Sequence, residues 1–326
     1  MIGIELTPEE PLGDLRKRGV AAERAGFDTV FTSCHYNNRD PFVLLGQLAQ
    51  CTETIRLGPG VINPLEIHPV RLASSMATLS ETSDGRAVFG IGPGDRSTLA
   101  NLGLADERGL RVVLETLTTA RRLWNGERVS HNGLFTANNA GLNYEASSPP
   151  VYVGGEGPHM CRMAAKHADG LLFNGAHPDD LRWAHKQVEI GLEERPATHP
   201  AFDFAAYAAV SIARESERAI AAVRPPVAFI TAGAPAPVLE RHELNPTIAE
   251  EIGTAIERGA FSEAFDLVTP AMIEAFSVAG TPAVVREQLD ALTDITDSIV
   301  IAAPLGPDPD EAIELLADAL GDRLGH

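Results

Sequence analysis

Along the chain, short apolar runs alternate with longer stretches whose apolar positions recur every three to four residues. IGIEL opens the series, and helical spacing follows over residues 14–25. DTVFTS precedes a helical stretch at 41–51, TIRLGPGV one at 68–82, and RAVFGIGPGD one at 109–124. PPVYVGG leads to 159–167 and GLLFNG to 179–193. FDFAAYAAVSI is the seventh run. DSIVIAAPLGPD is the eighth, with TPAVVREQLDAL before it and PDEAIELLADAL after it. Eight apolar runs alternating with helices predict parallel strands joined by crossover helices.

At 326 residues this pattern fits a single (β/α)8 barrel domain over 1–326. A doubly wound open sheet is the alternative, although the first strand-to-helix turn lacks G-x-G-x-x-G. Two segments exceed the plain repeat. Residues 125–148 are polar, and ERVSHNGLFT has the look of a hairpin. Residues 221–277 hold several short helical patterns: PAPVLERHEL, TIAEEIGTAIERG and PAMIEAF. Insertions in a barrel usually build the mouth of its site.

Composition narrows the partners. The formal net charge is −19, and only Lys17, Lys166 and Lys186 are lysine, so arginine supplies nearly all the positive charge. Nucleic acid and anionic membranes are poor partners for such a chain, and no run approaches the ~20 apolar residues of a membrane span. Acidity together with lysine poverty suits a salt-rich cytoplasm. Cys34, Cys51 and Cys161 share no ligand spacing, which fits a reducing, cytoplasmic setting.

In a barrel, sites form at the carboxyl ends of the strands, so the residues after each run carry the candidate chemistry. Ile2, Ile4 and Leu6 share one face of the first strand, while Gly3 and Glu5 share the face toward the interior. A carboxyl there is costly to ionise without partners. It reads as a salt-bridged interior glutamate or as a functional acid. His35 and Asn37 follow the second run, though a lone histidine more often packs than reacts. GIGPGD ends in Asp95, which suits a helix cap as well as a site. VGGEGP precedes a helix, where backbone N–H groups make an anion cradle suited to phosphate, and Asn174 and Gly175 stand after the sixth run. In RLGPGVINP, Val61 follows a Gly-Pro-Gly turn: a buried valine in a tight loop, or a shelf for something flat. There is no metal-ligand spacing, no G-x-S-x-G elbow and no P-loop. Such a chain borrows its chemistry from an organic cofactor.

GIELTPEEPL, TETIRLGPGVINP, GRAVFGIGPGD, VYVGGEGP, EAFSVAGTP and PLGPD, in this order from end to end, resemble the coenzyme F420-dependent methylenetetrahydromethanopterin reductases. VAFITAGAPAPVLERH resembles their segment after strand seven. The resemblance implies a (β/α)8 barrel of the bacterial luciferase-like type. It implies coenzyme F420, an 8-hydroxy-5-deazaflavin, with FMN as the alternative cofactor. The implied reaction is reversible hydride transfer from the reduced coenzyme to 5,10-methylenetetrahydromethanopterin, giving the 5-methyl product. Methylenetetrahydrofolate is the substrate expected in a halophilic host that makes no methane. Another luciferase-like oxidoreductase, a secondary alcohol dehydrogenase or a monooxygenase, is the competing expectation, and a non-catalytic flavin-binding relative is a further one.

The resemblance also implies roles, residue by residue. A non-prolyl cis peptide is expected at Gly60-Val61, in a bulge that backs the ring. Glu5 matches the general acid/base, and Asp95 an acid near the pterin. Gly154, Gly155, Glu156 and Gly157 match the phosphate loop, with Asn174 adjoining. His35 and Asn63 match ring-proximal positions. The family's usual assembly implies a homodimer or homotetramer.

The charge alone generates a first prediction. Like charges destabilise a compact state, and the Debye length shrinks to ~3 Å at 1 M salt. The melting temperature should therefore rise from dilute buffer to molar KCl, as thermal melts monitored by circular dichroism would show. An unchanged or lower value in KCl would refute a role for self-repulsion.

Overall fold

The computed structural model describes residues 1–104 and 108–325. It divides into two compact units, one built from Gly3–Phe173 and Lys186–Ala205, the other from Asn174–His185 and Ala206 onward. The first contains β1 (Ile2–Leu6), α1 (Leu12–Arg24), β2 (Thr29–Thr32), α2 (Pro41–Cys51), β3 (Arg56–Pro59) and α3 (Pro69–Thr82). These are followed by β4 (Phe89–Ile91), α4 (Arg96–Asn101), α5 (Gly109–Trp124), the hairpin β5 (Val129–Asn132) and β6 (Thr136–Ala140), β7 (Val151–Gly154), α6 (Pro158–His167) and β8 (Gly170–Asn174). β1 with β2, β2 with β3, β4 with β7, and β7 with β8 pair in parallel. Bridges from Leu57 to Ala87 and from Ile62 to Ile91 set β3 beside β4. β1, β2, β4 and β7 are buried at every residue. Strands covered on both faces read as unbroken apolar runs, which is why they were legible.

Proline at the first helical position lacks only an N–H that would be unpaired anyway, and its φ already suits the helix. It opens α2, α3 and α6. Asp40 caps α2 by accepting the Val43 N–H at 3.1 Å, and His68 caps α3 by accepting the Val70 N–H at Nδ1, 3.2 Å away. An imidazole that accepts at Nδ1 carries its proton on Nε2, so His68 donates from Nε2 to the Thr136 carbonyl at 3.1 Å. At the entry to β3, Glu23 accepts the N–H groups of Glu53, Thr54 and Ile55 at 2.7–3.0 Å. Arg86 donates there to the carbonyls of Ala49, Thr52 and Ile55. The irregular stretch 193–200 is gathered by Arg195, which donates to the carbonyls of Ala165, Ala168 and Pro200.

In the second unit and at its borders lie α7 (Pro178–Leu192), β9 (Asp203–Ile212), α8 (Ser216–Gly233), α9 (Ala236–Arg241), α10 (Pro246–Glu257), α11 (Phe261–Asp266) and α12 (Pro270–Phe276). The chain ends in β10 (Val278–Gly280), α13 (Pro282–Thr293), β11 (Ser298–Leu305) and α14 (Pro309–Leu320). α8 to α12 share one apolar core that includes Val223, Val227, Leu239, Ile252, Ala264, Met272 and Phe276. Three elements here differ from the sequence expectation. α8 runs through Pro225 and Pro226, residues that normally end a helix; buried Val223, Val227 and Ala228 along one face carry it through. α11 is only six residues long, and β10 is three residues paired with β9. Elements so short carry too little periodicity to be seen in sequence.

The polar insertion is the hairpin that ERVSHNGLFT suggests: β5 and β6 pair antiparallel. Its anchor is Glu115 of α5, which accepts from Arg111 Nε at 2.6 Å, His131 Nε2 at 2.8 Å and the Leu134 N–H at 2.9 Å. Burial alone would raise this carboxyl, but the bonds from Leu134, His131 and Arg111 outweigh it and hold the pKa at about 2. A depressed acid stabilises the fold above its unfolded value of about 4.3 and loses that contribution as pH falls toward about 2. Glu115→Gln should therefore be less stable than wild type at neutral pH, with the gap closing toward pH 2. Amide exchange at Leu134, measured across that window, would test it. A gap that does not change with pH would show that the anchor is not ionic.

Candidate active site

The parallel register sets the carboxyl ends of the first unit's strands along one edge. Glu5 lies opposite Phe31, which lies opposite Gly58. Ile62 bridges to Ile91, Ile91 lies opposite Val153, and Val153 opposite Leu171. Residues 60–63, 92–95 and 154–157 leave their strands on this edge. Glu5 is 8% exposed and accepts from Thr7 Oγ1 at 3.2 Å.

The Gly60-Val61 peptide is cis, as expected. The Thr32 carbonyl accepts the Gly60 N–H at 2.8 Å and the Cys34 thiol at 3.2 Å. Ile62 then exchanges two bonds with β4: its N–H to the Gly90 carbonyl at 3.1 Å, and the Gly92 N–H to its carbonyl at 3.0 Å. Between these anchors the Val61 side chain lies against backbone. A Cβ on Gly90 would stand 3.3 Å from its Cγ1, one on Gly92 2.5 Å from its Cγ2, and one on Gly154 3.0 Å from both methyls. Glycines such as those of GIGPGD can let a ligand approach the backbone closely. Here Gly92 makes room for Val61, and Gly90 makes room for the Pro59 carbonyl and then for Val61.

Asn63 is 4% exposed. Its Oδ1 accepts the N–H groups of Leu65 and Glu66 at 3.1 Å each, and its Nδ2 donates to Glu66 Oε1. The carboxamide is thus engaged by its own turn, which holds the bulge in place. Beside it Gly94 has φ +83°, and a Cβ there would come 3.1 Å from the Asn63 Cβ. Asp95 is exposed and caps α4, accepting the Thr98 N–H at 2.7 Å and the Thr98 hydroxyl. That is the helix-cap alternative the sequence allowed.

In the loop 154–157, Gly155 is closed against Met160, whereas Gly157 faces open space. The Gly157 carbonyl takes the N–H groups of Met160 and Cys161 at 3.0 Å each, at the start of α6. Glu156 and His35 are exposed. The His35 carbonyl closes a turn by accepting the Asn38 N–H at 3.0 Å. Asn174, the exposed last residue of β8, opens the second unit.

At the end of β2, where the sequence pointed to His35 and Asn37, two further residues stand out. Thr32 and Ser33 are buried, and their hydroxyls have no hydrogen-bond partner. Burial pushes the Cys34 thiol up, against a bond from the Gly60 N–H. Three small polar residues directly after an apolar run were the available signal. A shallow cavity of about 570 Å³ lies apart from this edge, between α3 and the hairpin. It is lined by His68, Arg71, Ser74, Thr136 and Tyr144 and contains none of the candidate residues. Among the described residues no cluster could hold a metal ion, and no helix is long and apolar enough to cross a membrane.

The family model described as luciferase-like monooxygenase matches residues 2–298. The chain is 38% identical over 328 residues to a 5,10-methylenetetrahydromethanopterin reductase of Archaeoglobus fulgidus, covering 99% of each. It is 36% identical over 333 residues to that of Methanopyrus kandleri, covering 96% of this chain and 95% of the other. The coenzyme F420-dependent tetrahydromethanopterin reductase structure from Methanopyrus kandleri matches with a TM-score of 0.91 at 34% identity over 99% of both chains. An F420-dependent secondary alcohol dehydrogenase, at 19% identity and TM-score 0.81, shares the fold. The fold is the (β/α)8 barrel of the luciferase-like type, with parallel strands and alternating helices.

Gly92 tests the packing of Val61. Gly92→Ala places a methyl 2.5 Å from Val61 Cγ2, an overpacking that costs about 1–3 kcal/mol. Adding Val61→Ala to that variant should recover most of the loss in urea denaturation. If the double variant is no more stable than Gly92→Ala alone, the Gly92–Val61 contact does not set the geometry of this edge.

Proposed function

The chain belongs to the luciferase-like family and, within it, to the 5,10-methylenetetrahydromethanopterin reductases, and we propose how its own residues serve that reaction. It is a coenzyme F420-dependent oxidoreductase that reduces 5,10-methylenetetrahydromethanopterin to the 5-methyl compound, reversibly. The observation that carries the assignment of roles is a buried carboxyl, Glu5, on the same strand-end edge as an apolar side chain, Val61, framed by glycines.

The residues present fit a flat ring with an anionic tail. Val61 offers an apolar surface whose surroundings carry no side chains at Gly90, Gly92 and Gly154, and the open space at Gly157 sits at the start of a ten-residue helix. When bound, reduced coenzyme F420 supplies the hydride from its C5. Val61 backs the ring, and the loop Gly154, Gly155, Glu156 and Gly157 holds the phosphate, with main-chain N–H groups at its helix end while the Gly155 N–H stays on the Leu172 carbonyl. Asn174 is a further coenzyme contact. His35 flanks the ring, and Asn63 acts through its turn by fixing the bulge. Alignment of the two reactants over this surface supplies the proximity that hydride transfer needs.

Reduction of the methylene bridge breaks a carbon–nitrogen bond, and the departing nitrogen needs a proton. Glu5 holds and delivers it. Burial disfavours the anionic form of a carboxyl, and general acid catalysis uses the protonated one. Asp95 lies near the pterin as the second acid. We further propose that residues 1–326 form one barrel domain with insertions at about 125–148 and 221–277. We also propose that the enzyme works in the cytoplasm as a homodimer or homotetramer.

Glu5→Gln keeps the size and hydrogen bonding but removes the transferable proton. It should bind coenzyme F420 as wild type does and lose turnover by ~10²–10⁴-fold in an anaerobic assay with reduced coenzyme and methylenetetrahydromethanopterin. Near-normal turnover in Glu5→Gln, with loss in Asp95→Asn, would move the proton to Asp95.

A further inference from the structure

The second unit carries a buried cluster of titratable groups with no part in the mechanism above. Asp180, in the first turn of α7, is 5% exposed. Its Oδ1 accepts from Arg241 Nη1 and its Oδ2 from His242 Nε2, the latter at 2.7 Å. Arg241 lies over the Trp183 ring at 5.0 Å, and His242 stands edge-to-face with Phe276 at 5.8 Å. Burial alone would raise the Asp180 carboxyl, but the bonds from His242 and Arg241 outweigh it and keep it below the usual range. The carboxylate therefore ties the end of α9 to the start of α7.

The chain of contacts continues to His177. Its ring lies 4.7 Å from that of His242, at 84°. His177 Nδ1 accepts the Asp179 N–H at 3.2 Å, and its carbonyl accepts the N–H groups of Asp180 and Leu181. His177 thus caps α7 with ring and main chain, and accepting at Nδ1 leaves its proton on Nε2. A second proton would turn that acceptor into a donor facing the Asp179 N–H, beside the His242 ring, with the Asp179 carboxylate 3.9 Å from Nδ1. The carboxylates of Asp179, Asp180 and Glu274 would favour the cation; burial and His242 oppose them and prevail, so the ring titrates below the ordinary imidazole value. The other end of the same loop is held by the Gly175 N–H on the Tyr207 carbonyl at 3.1 Å.

We propose that Asp180 and His242 are positioning residues for the loop 174–177, which they hold in one orientation by locking the His177 ring. This rests on the reductase reading, which gives that loop a coenzyme contact at Asn174. His177 is a titratable cap, so the loop loosens as the pH falls and the ring gains a proton.

KM and kcat measured from about pH 5 to about pH 8 on wild type, Asp180→Asn, His242→Phe and His177→Asn decide it. His242→Phe keeps the aromatic packing and serves if Asp180→Asn does not fold. Both should raise KM for coenzyme F420 about tenfold with kcat within about twofold. Wild-type KM should rise toward acid. His177→Asn caps without titrating, so its KM should not. Imidazole nitrogen NMR should show His177 as the Nε2–H tautomer in wild type and a mixture in His242→Phe. Wild-type KM in folded Asp180→Asn and His242→Phe, or a wild-type acid rise in His177→Asn, would overturn the proposal. If wild type binds no coenzyme F420, the reductase reading falls, and the His177 tautomer alone decides the clamp.

Discussion

Two strands of the first unit, β4 and β7, must bring their carboxyl ends around one isopropyl group, that of Val61, and they can do so only because each presents glycine backbone there. Gly90 and Gly92 at the end of β4 and Gly154 at the end of β7 leave the space that Val61 fills. The bulge is in turn tied to β2 through Thr32 and to β4 through Ile62. An interior packed to crystal-like density transmits such a constraint directly, because there is no slack to absorb an added methyl. The loops that leave these strands, 92–95 and 154–157, start from positions that Val61 has already set. The geometry of the candidate site is therefore a packing result before it is a chemical one.

The lysine-poor composition acquires a structural meaning in the same unit. Arginine does work that lysine could not, because a planar fork can meet several carbonyls at fixed angles. Arg86 gathers the carbonyls of Ala49, Thr52 and Ile55, and Arg195 those of Ala165, Ala168 and Pro200. In the second unit Arg224 reaches those of Phe265 and Val268. These guanidinium groups close loops and helix ends at sites with no carboxylate in the pair. Part of the positive charge is thus spent on main chain, while acidic groups dominate the formal charge.

Histidine is used twice as a helix cap ahead of proline, at His68-Pro69 and His177-Pro178. In each case Nδ1 accepts a main-chain N–H, which is possible only for a neutral ring. The two differ in what the rest of the ring meets. His68 donates to the hairpin carbonyl of Thr136 and stands edge-on to Phe135. His177 faces His242, and through it a buried carboxylate. The same dipeptide thus joins an inserted segment to a helix start in both units, once through a carbonyl and once through a charge.

What the sequence by itself determined is whatever a local pattern can encode. Strands buried on both faces are continuous apolar runs, and Pro41, Pro178 and Pro309 mark helix starts because proline suits only a first turn. The cis peptide at Gly60-Val61 and the family's order of motifs were legible as resemblance, and Glu5 through alternation along five residues. Tertiary structure alone decided what distant residues do to one another. Nothing near Asp95 in sequence says whether its carboxylate caps α4 or faces a ligand, and Asn63 could have reached a ring as easily as its own turn. Gly92 reads as a turn residue until Val61 is seen against it. Asp180 meets partners 61 and 62 residues away, and α8 persists through two prolines only because a core holds one of its faces. The division follows from range: periodicity and capping act within a few residues, whereas excluded volume and buried charge are settled by whichever chain segments the fold brings together.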